Sequence, residues 1–197
     1  LDVGVYNVGM VDDDSIDKAF REVKRSNFLP KSEKSLADLD TALYIGYGQT
    51  NSQPTTVRMM LEWLDAQPGD KVLDVGSGSG WSTALLANIV GPKGMVYAVE
   101  RVPELVEFGR RNCQASGITN AKFYKAGDII GLPEYAPFDR ILVSADASEL
   151  PDELMDQLKI GGKTVIPIHD IIYEVTKLSK TKNNIKKHPY FIFVPLI

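Results

Sequence analysis

From Lys71 onward, short runs of apolar residues alternate with longer stretches whose apolar positions recur at helical spacing. Residues 71–75 (KVLDV), 95–100 (MVYAVE), 121–125, 138–144 and 163–168 have the β-branched and aliphatic content of buried strands. Between them lie predicted helices: Trp81 to about Val90, which stops at GPKG; Pro103 to Ser116, with Leu105, Phe108 and Cys113 inward; and a short one within 151–162, closed by glycine. Strand and helix alternating at this rhythm imply a parallel sheet wound with helices on both faces. After Ile168 the rhythm breaks. IIYEVTKLS alternates, KTKNNIKKH reads as a turn, and YFIFVPL alternates again, predicting an antiparallel hairpin at one edge. The fold class is therefore α/β, Rossmann-like and doubly wound, its mostly parallel sheet ending in a C-terminal hairpin.

Upstream the pattern is less regular. Residues 1–14 are mixed and then acidic, as in a mobile end, and Ser15 can cap a helix reaching about Asn27 through Ile16, Ala19, Phe20 and Val23. KSEKSLADLD and then TALYIGYGQTNSQP read as loop, the second with the aromatic and amide content common in binding loops. A helix from Thr55 to about Asp65 follows, with Val57, Met60, Leu61 and Leu64 on one face and a turn at Gln67-Pro68-Gly69-Asp70. With 197 residues, one domain is expected, in three regions: 1–54 with the first helix and the irregular loop, 55–168 as the alternating core, and 169–197 as hairpin.

Composition narrows the chemistry. A content of 44% hydrophobic and 24% charged residues is that of a globular protein, and a net charge of −4 argues against a surface built for nucleic acid. One cysteine, Cys113, and two histidines, His169 and His188, offer neither a disulfide nor a Cys/His zinc cluster. Cys113 reads as core, His188 as a surface residue, and His169 as a satisfied loop residue or a substrate contact. No run is long enough to span a membrane and the first residues lack signal-peptide character, so a cytoplasmic location is expected.

The candidate site lies where strands end. The first strand runs into GSGSG, with Gly76, Gly78 and Gly80 letting backbone approach a ligand and free helix amides facing it. Glu100 at the second strand end suits ribose hydroxyls, and Gly127-Asp128 at the third suits an adenine amino group. Such a loop serves dinucleotides and S-adenosyl-L-methionine alike. Asp74, just before the loop, favours a sulfonium cofactor with a free amino group, although it equally fits a core hydrogen-bond role. The strand succession with its terminal hairpin suits a methyltransferase better than a two-halved dehydrogenase. Ser77 and Arg101 complete the expected S-adenosyl-L-methionine set, and S-adenosyl-L-homocysteine is the corresponding product.

At VLDVGSGSGWSTALLA, GPKGMVYAVER, the long stretch from Gly127 to Ile168, RSNFLP, IGYGQTNSQP and the ending FIFVPL, the chain resembles the protein-L-isoaspartate O-methyltransferases. The likeness runs from about residue 15 to the end. Its cofactor part is shared with most class I methyltransferases, whereas GQTNSQP and FVPL are specific. The resemblance implies repair of damaged proteins by methylation of the α-carboxylate of L-isoaspartyl residues, the ester then collapsing to a succinimide. A carboxylate is already ionised at neutral pH, so alignment with a methyl donor matters more than a base. Carried onto this chain, Gln49, Thr50, Asn51, Gln53, Pro54, Val194 and Pro195 bind peptide, with Ser52 nearest the reacting carboxylate.

Three departures stand out. Asn51 replaces a usually apolar residue, Asp146 replaces a small apolar one, and His169-Asp170-Ile171 follows a strand where the family has glycine. Asp146 would repel an anionic substrate if it shared that substrate's pocket. Asp146 and Asp170 also raise a rival, a magnesium-dependent small-molecule O-methyltransferase, beside the reading that both are solvated loop residues. The residues also admit an RNA methyltransferase or a non-catalytic S-adenosylmethionine binder. The expected partners are isoaspartyl peptides or proteins, with neither nucleic acid nor membrane, and no protein metal site.

Overall fold

A computed structural model describes residues 15–196; the acidic end expected to be mobile, 1–14, lies outside them. Its centre is a seven-stranded sheet formed by β3 (Lys71–Val75), β4 (Met95–Glu100), β5 (Ala121–Lys125), β6 (Phe138–Val143), β7 (Leu158–Ile168), β8 (Ile171–Lys177) and β9 (Asn183–Pro189). The order is β5-β4-β3-β6-β7-β8-β9, parallel from β5 to β7 and antiparallel from β7 to β9. Between β3 and β6 the chain changes direction across the sheet, which opens a crevice at their carboxyl ends. The α/β class with a terminal antiparallel hairpin is thus present.

The two-residue period of the strands divides the interior into layers. Val72, Val96, Ala98, Leu142 and Val165 face one core, packed with α1 (Ser15–Glu22), α2 (Pro54–Leu64), α3 (Trp81–Val90) and α4 (Pro103–Ala115). Leu73, Val75, Ile141, Val143 and Ile166 face the other core, beneath α5 (Asp152–Gln157). Helix α3 is apolar around nearly its whole circumference because it is covered on all sides, and Leu85 and Leu86 are fully buried.

Local boundaries differ from the sequence pattern in four places, each for a physical reason. Helix α1 ends at Glu22, and Arg25–Phe28 is a 3-10 turn that puts Arg25 and Phe28 inside. The expected binding loop contains a small hairpin, β1 (Leu43–Gly46) and β2 (Gln49–Asn51), turned by residues with positive φ at Gly46, Tyr47 and Gly48. Gly161 and Gly162 do not stop a helix in a loop. They sit within β7, where a bulge opposite Phe138–Arg140 brings a Cβ at Gly162 to 2.8 Å from the Asp139 carbonyl.

The hairpin is also shifted. Its second strand is β9, the polar segment read as a turn, while 190–196 is an extended tail that leaves the sheet. Tyr190 and Phe191 donate to the Asp170 carbonyl. The tail then pairs with the end of β6, Asp146 N–H donating to Val194 O and Leu196 N–H to Asp146 O, both at 2.7 Å.

Helix α4 presses on the glycine loop through Gly109. A Cβ there would lie 2.8 Å from Phe123, 3.2 Å from Gly78 O and 3.3 Å from Gly80 N. Gly109→Ala is expected to destabilise the protein by about 1–3 kcal/mol, the usual penalty of overpacking, as measured by urea denaturation. Unchanged stability would show that α4 and the loop are not in tight register.

Candidate functional site

A cavity of about 700 Å³ opens at the crevice between β3 and β6. Its floor is Gly76 and Gly78, one wall is Glu100 and Arg101, another is Gly127 and Asp128, and Val194 and Pro195 of the tail close it beside Gln49 and Thr50. A second cavity of about 510 Å³ lies on the other side of the tail, lined by Thr41, Ser52, Gln53 and Thr56 facing residues 190–194. Thr50, Ser144 and Val194 line both. The two spaces therefore share a wall.

The loop geometry explains the glycines. Gly76 and Ser77 donate to the Val99 carbonyl, which ties the loop across to β4. Gly80 caps α3 with φ +87°, and any Cβ would meet Gly109 at 3.0 Å. Glu100 is 7% exposed; its Oε2 accepts from Gly78 N–H and its Oε1 from Val102 N–H, each at 2.9 Å. Each carboxylate oxygen retains a further lone pair toward the cavity.

Asp74 takes the core hydrogen-bonding position that the sequence also allowed. It lines no cavity but lies fully buried under the loop, where its Oδ2 accepts from Thr83 Oγ1 at 2.6 Å and Ser82 Oγ at 2.8 Å. Its Oδ1 has no protein partner. Burial raises the carboxyl to about 6, against the two hydroxyl bonds and with a smaller push from the Glu100 charge. The residue acts on the loop and α3. Ser77 and Gly80 likewise shape the loop without lining the cavity, and the Ser77 hydroxyl is buried without a partner.

The acceptor-side residues also separate. Gln49, Thr50, Ser52, Gln53, Val194 and Pro195 reach one cavity or the other, while Pro54 opens α2 and Asn51 reaches neither. Asn51 is 5% exposed, its Oδ1 accepting from Arg25 Nε at 2.8 Å and its Nδ2 donating to Ser79 Oγ at 3.1 Å. Arg25 donates further to the carbonyls of Ala37, Leu39, Thr41, Asn51 and Ser52. Burial lowers its pKa, and the Asp40 charge partly offsets this. Asp40 in turn accepts from Thr55 N–H, Thr55 Oγ1 and Gln53 Nε2, anchoring the loop's exit into α2. Its carboxyl lies below the ordinary range, chiefly through the Thr55 amide.

Neither Asp146 nor the His169-Asp170 pair belongs to the wall of either cavity. Asp146 lines neither cavity, so the condition for repelling an anionic substrate, a shared pocket, is not met. Asp170 is exposed, and among the described residues no three His, Cys, Asp or Glu side chains gather as a metal-ligating group. His169, exposed with φ +54° at the β7–β8 turn, also lines neither cavity. His188 is half-buried, stacked 3.7 Å from Trp63 with Nε2 3.5 Å from Glu174, rather than a plain surface residue. Cys113 is core, and burial takes its thiol up to about 12.

The family model for protein-L-isoaspartate(D-aspartate) O-methyltransferase matches residues 4–197. The chain belongs to that family. A protein-L-isoaspartate O-methyltransferase of Hyperthermus butylicus is 43% identical over 96% of this chain and 83% of its own length. Among solved structures, a Plasmodium falciparum member bound to S-adenosyl-L-homocysteine superposes with TM-score 0.83 at 30% identity, covering 95% of this chain and 92% of that one. Another protein-L-isoaspartate O-methyltransferase gives TM-score 0.85 at 31% identity over 93% of this chain, which spans only 61% of that longer protein.

Within this family member, sequence reasoning overlooked Arg25 and Ser144. Ser144 sits at a strand end beside the switch point, a signal that the pattern did carry. Arg25 carried only the resemblance of RSNFLP, because arginine ordinarily reads as surface.

Asp74 provides a pH test. Its folded pKa of about 6 lies above the unfolded value of 3.8, so its stabilising share is complete below about pH 4 and is lost as pH rises through 6. Between pH 4 and 7, Asp74→Asn is expected to gain up to ~3 kcal/mol on the ligand-free parent, read by urea denaturation at each pH. Parallel stability curves would refute a buried, poorly solvated carboxyl.

Proposed function

We propose that the protein is an S-adenosyl-L-methionine-dependent protein-L-isoaspartate O-methyltransferase that esterifies the abnormal carboxylate of L-isoaspartyl residues. The observation that carries this reading is the wall shared by the two cavities at Thr50, Ser144 and Val194, one side sized for a nucleoside cofactor and the other open to a chain. The first cavity fits the cofactor on its own chemistry. The buried Glu100 carboxylate keeps lone pairs for ribose hydroxyls, Gly78 brings backbone to the cavity wall, and Asp128, which lines the same cavity, would accept from an adenine amino group. When bound, S-adenosyl-L-methionine supplies an electrophilic methyl group, and the substrate carboxylate, already ionised, is the nucleophile.

The protein's part is alignment. Arg25 holds the carbonyls of Asn51 and Ser52, which supports a Ser52 hydroxyl that meets substrate in the second cavity. Ser52 and neighbouring amides hold the carboxylate, with Thr50 and Gln53 in support. Val194 and Leu196 point their pairing groups at Asp146, which leaves the opposite edge of the tail, at Phe193 and the Pro195 carbonyl, to receive an extended peptide. A net charge of −4 supports proteins and peptides rather than nucleic acid as partners, and the free, buried thiol of Cys113 accords with work in the reducing cytoplasm.

Labelled methyl from S-adenosyl-L-methionine is expected to enter an isoaspartyl peptide and not its aspartyl twin. Equal, negligible labelling of both would sink the assignment. Ser52→Ala is expected to lower kcat/KM on the isoaspartyl peptide by about ten- to a hundred-fold, the worth of one hydrogen bond to a charged group, with donor affinity retained. Unchanged turnover would remove Ser52 from the site.

A further inference from the structure

The acceptor loop and the cofactor loop are joined by one buried side-chain path that touches neither cavity. Asn51 is 5% exposed, Ser79 2% and Arg25 6%. A guanidinium has donors only, so the Asn51 atom at Arg25 Nε must be Oδ1, and Nδ2 is thereby directed at Ser79 Oγ, 3.1 Å away. Ser79 is the residue between Gly78 and Gly80, and its carbonyl is held by Asn112 Nδ2 at 3.0 Å. Gly78 lines the first cavity and donates to Glu100. At the other end, Arg25 holds the carbonyls of Thr41 and Ser52, which line the second.

We propose that Asn51 and Ser79 are positioning residues that couple the two cavities, so that filling the cofactor cavity tightens the acceptor loop through Gly78, Ser79, Asn51 and Arg25. A ligand resting on Gly78 restricts the peptide unit that carries Ser79. Restricting Ser79 restricts Asn51, whose side chain has Ser79 and Arg25 as its polar partners among the described residues. Arg25 passes the restraint to the carbonyls of 37–41 and 51–52 together. Donor binding then prepares the peptide side, and by reciprocity peptide binding strengthens the donor side. The inference rests on the cofactor and peptide reading given above.

Hydrogen exchange of the whole protein with and without S-adenosyl-L-homocysteine tests it. In the parent, the bound product should slow exchange of amides in 76–80 and also, by about ten-fold, in 37–43, a segment that does not line the first cavity. In Ser79→Ala the slowing at 76–80 should persist and that at 37–43 should vanish. Asn51→Asp should keep both, because its carboxylate accepts from Arg25 and from the Ser79 hydroxyl. Kinetically, Ser79→Ala should raise KM for an isoaspartyl peptide about ten-fold at saturating donor, while the affinity for S-adenosyl-L-homocysteine in the absence of peptide moves less than about two-fold.

Protection at 76–80 without protection at 37–43 in the parent would overturn the coupling and leave the cofactor assignment standing. Protection at 37–43 that survives in Ser79→Ala would overturn it equally. Absence of protection at 76–80 in the parent would overturn the cofactor assignment and the coupling with it.

Discussion

A charged guanidinium withdrawn from water is tolerated only when every N–H finds an acceptor, and Arg25 meets that demand entirely with the backbone and one amide of 37–52. Its planar group also lies 5.3 Å from the Trp81 ring centroid at the start of α3. The consequence is a loop with one favoured path. Any other path for residues 37–52 strands a buried cation, so the acceptor side is shaped by the cost of the alternative more than by its own packing. The loop's apolar support is small by comparison, a cluster of Leu29, Ala37, Leu43, Ile45 and Leu105.

The donor side is built on a different principle. Strand order places β4 and β6 on opposite flanks of β3, and the crevice follows from that arrangement without any single residue deciding it. Side chains then adjust a site that topology has already located. Asp74 illustrates the cost of such adjustment: a carboxyl with one unpartnered oxygen, held in the core to fasten two hydroxyls of the first turn of α3. The tail joins the two principles by pairing with Asp146, so that Val194 forms part of both cavities.

How far the sequence revealed this depends on the kind of force involved. The core strands were legible because burial on both faces writes an unbroken apolar run, and the glycine loop because positive φ writes glycine. β9 was not. NNIKKHP is polar because it is an edge strand, where lysines guard exposed pairing groups, and so it imitates a turn. The tail alternates correctly, Phe191 and Phe193 packing inward while Tyr190 and Ile192 are over 90% exposed. Period two reports an extended chain but not its partner, so the sequence alone places the tail in the hairpin. Arg25 and Asn51 were illegible for a related reason: a residue's type does not disclose that its polarity is consumed inside.

That distinction bears on the chemistry of the acceptor. The second cavity is lined by threonine, serine, glutamine, alanine and the 190–194 tail, and no charged side chain is among them. A lysine or arginine in direct contact would bind a carboxylate tightly while stabilising the very negative charge that must attack. Uncharged donors orient the oxygen with less loss of its nucleophilicity, and binding energy is useful only where it is greater in the transition state than before it. Arg25 lies one layer below, its charge separated from the cavity by the Ser52 carbonyl to which it donates at 3.0 Å. On the proposed reading, it would favour an anion in the cavity and stiffen the Ser52 backbone beside it, without touching the oxygen that reacts.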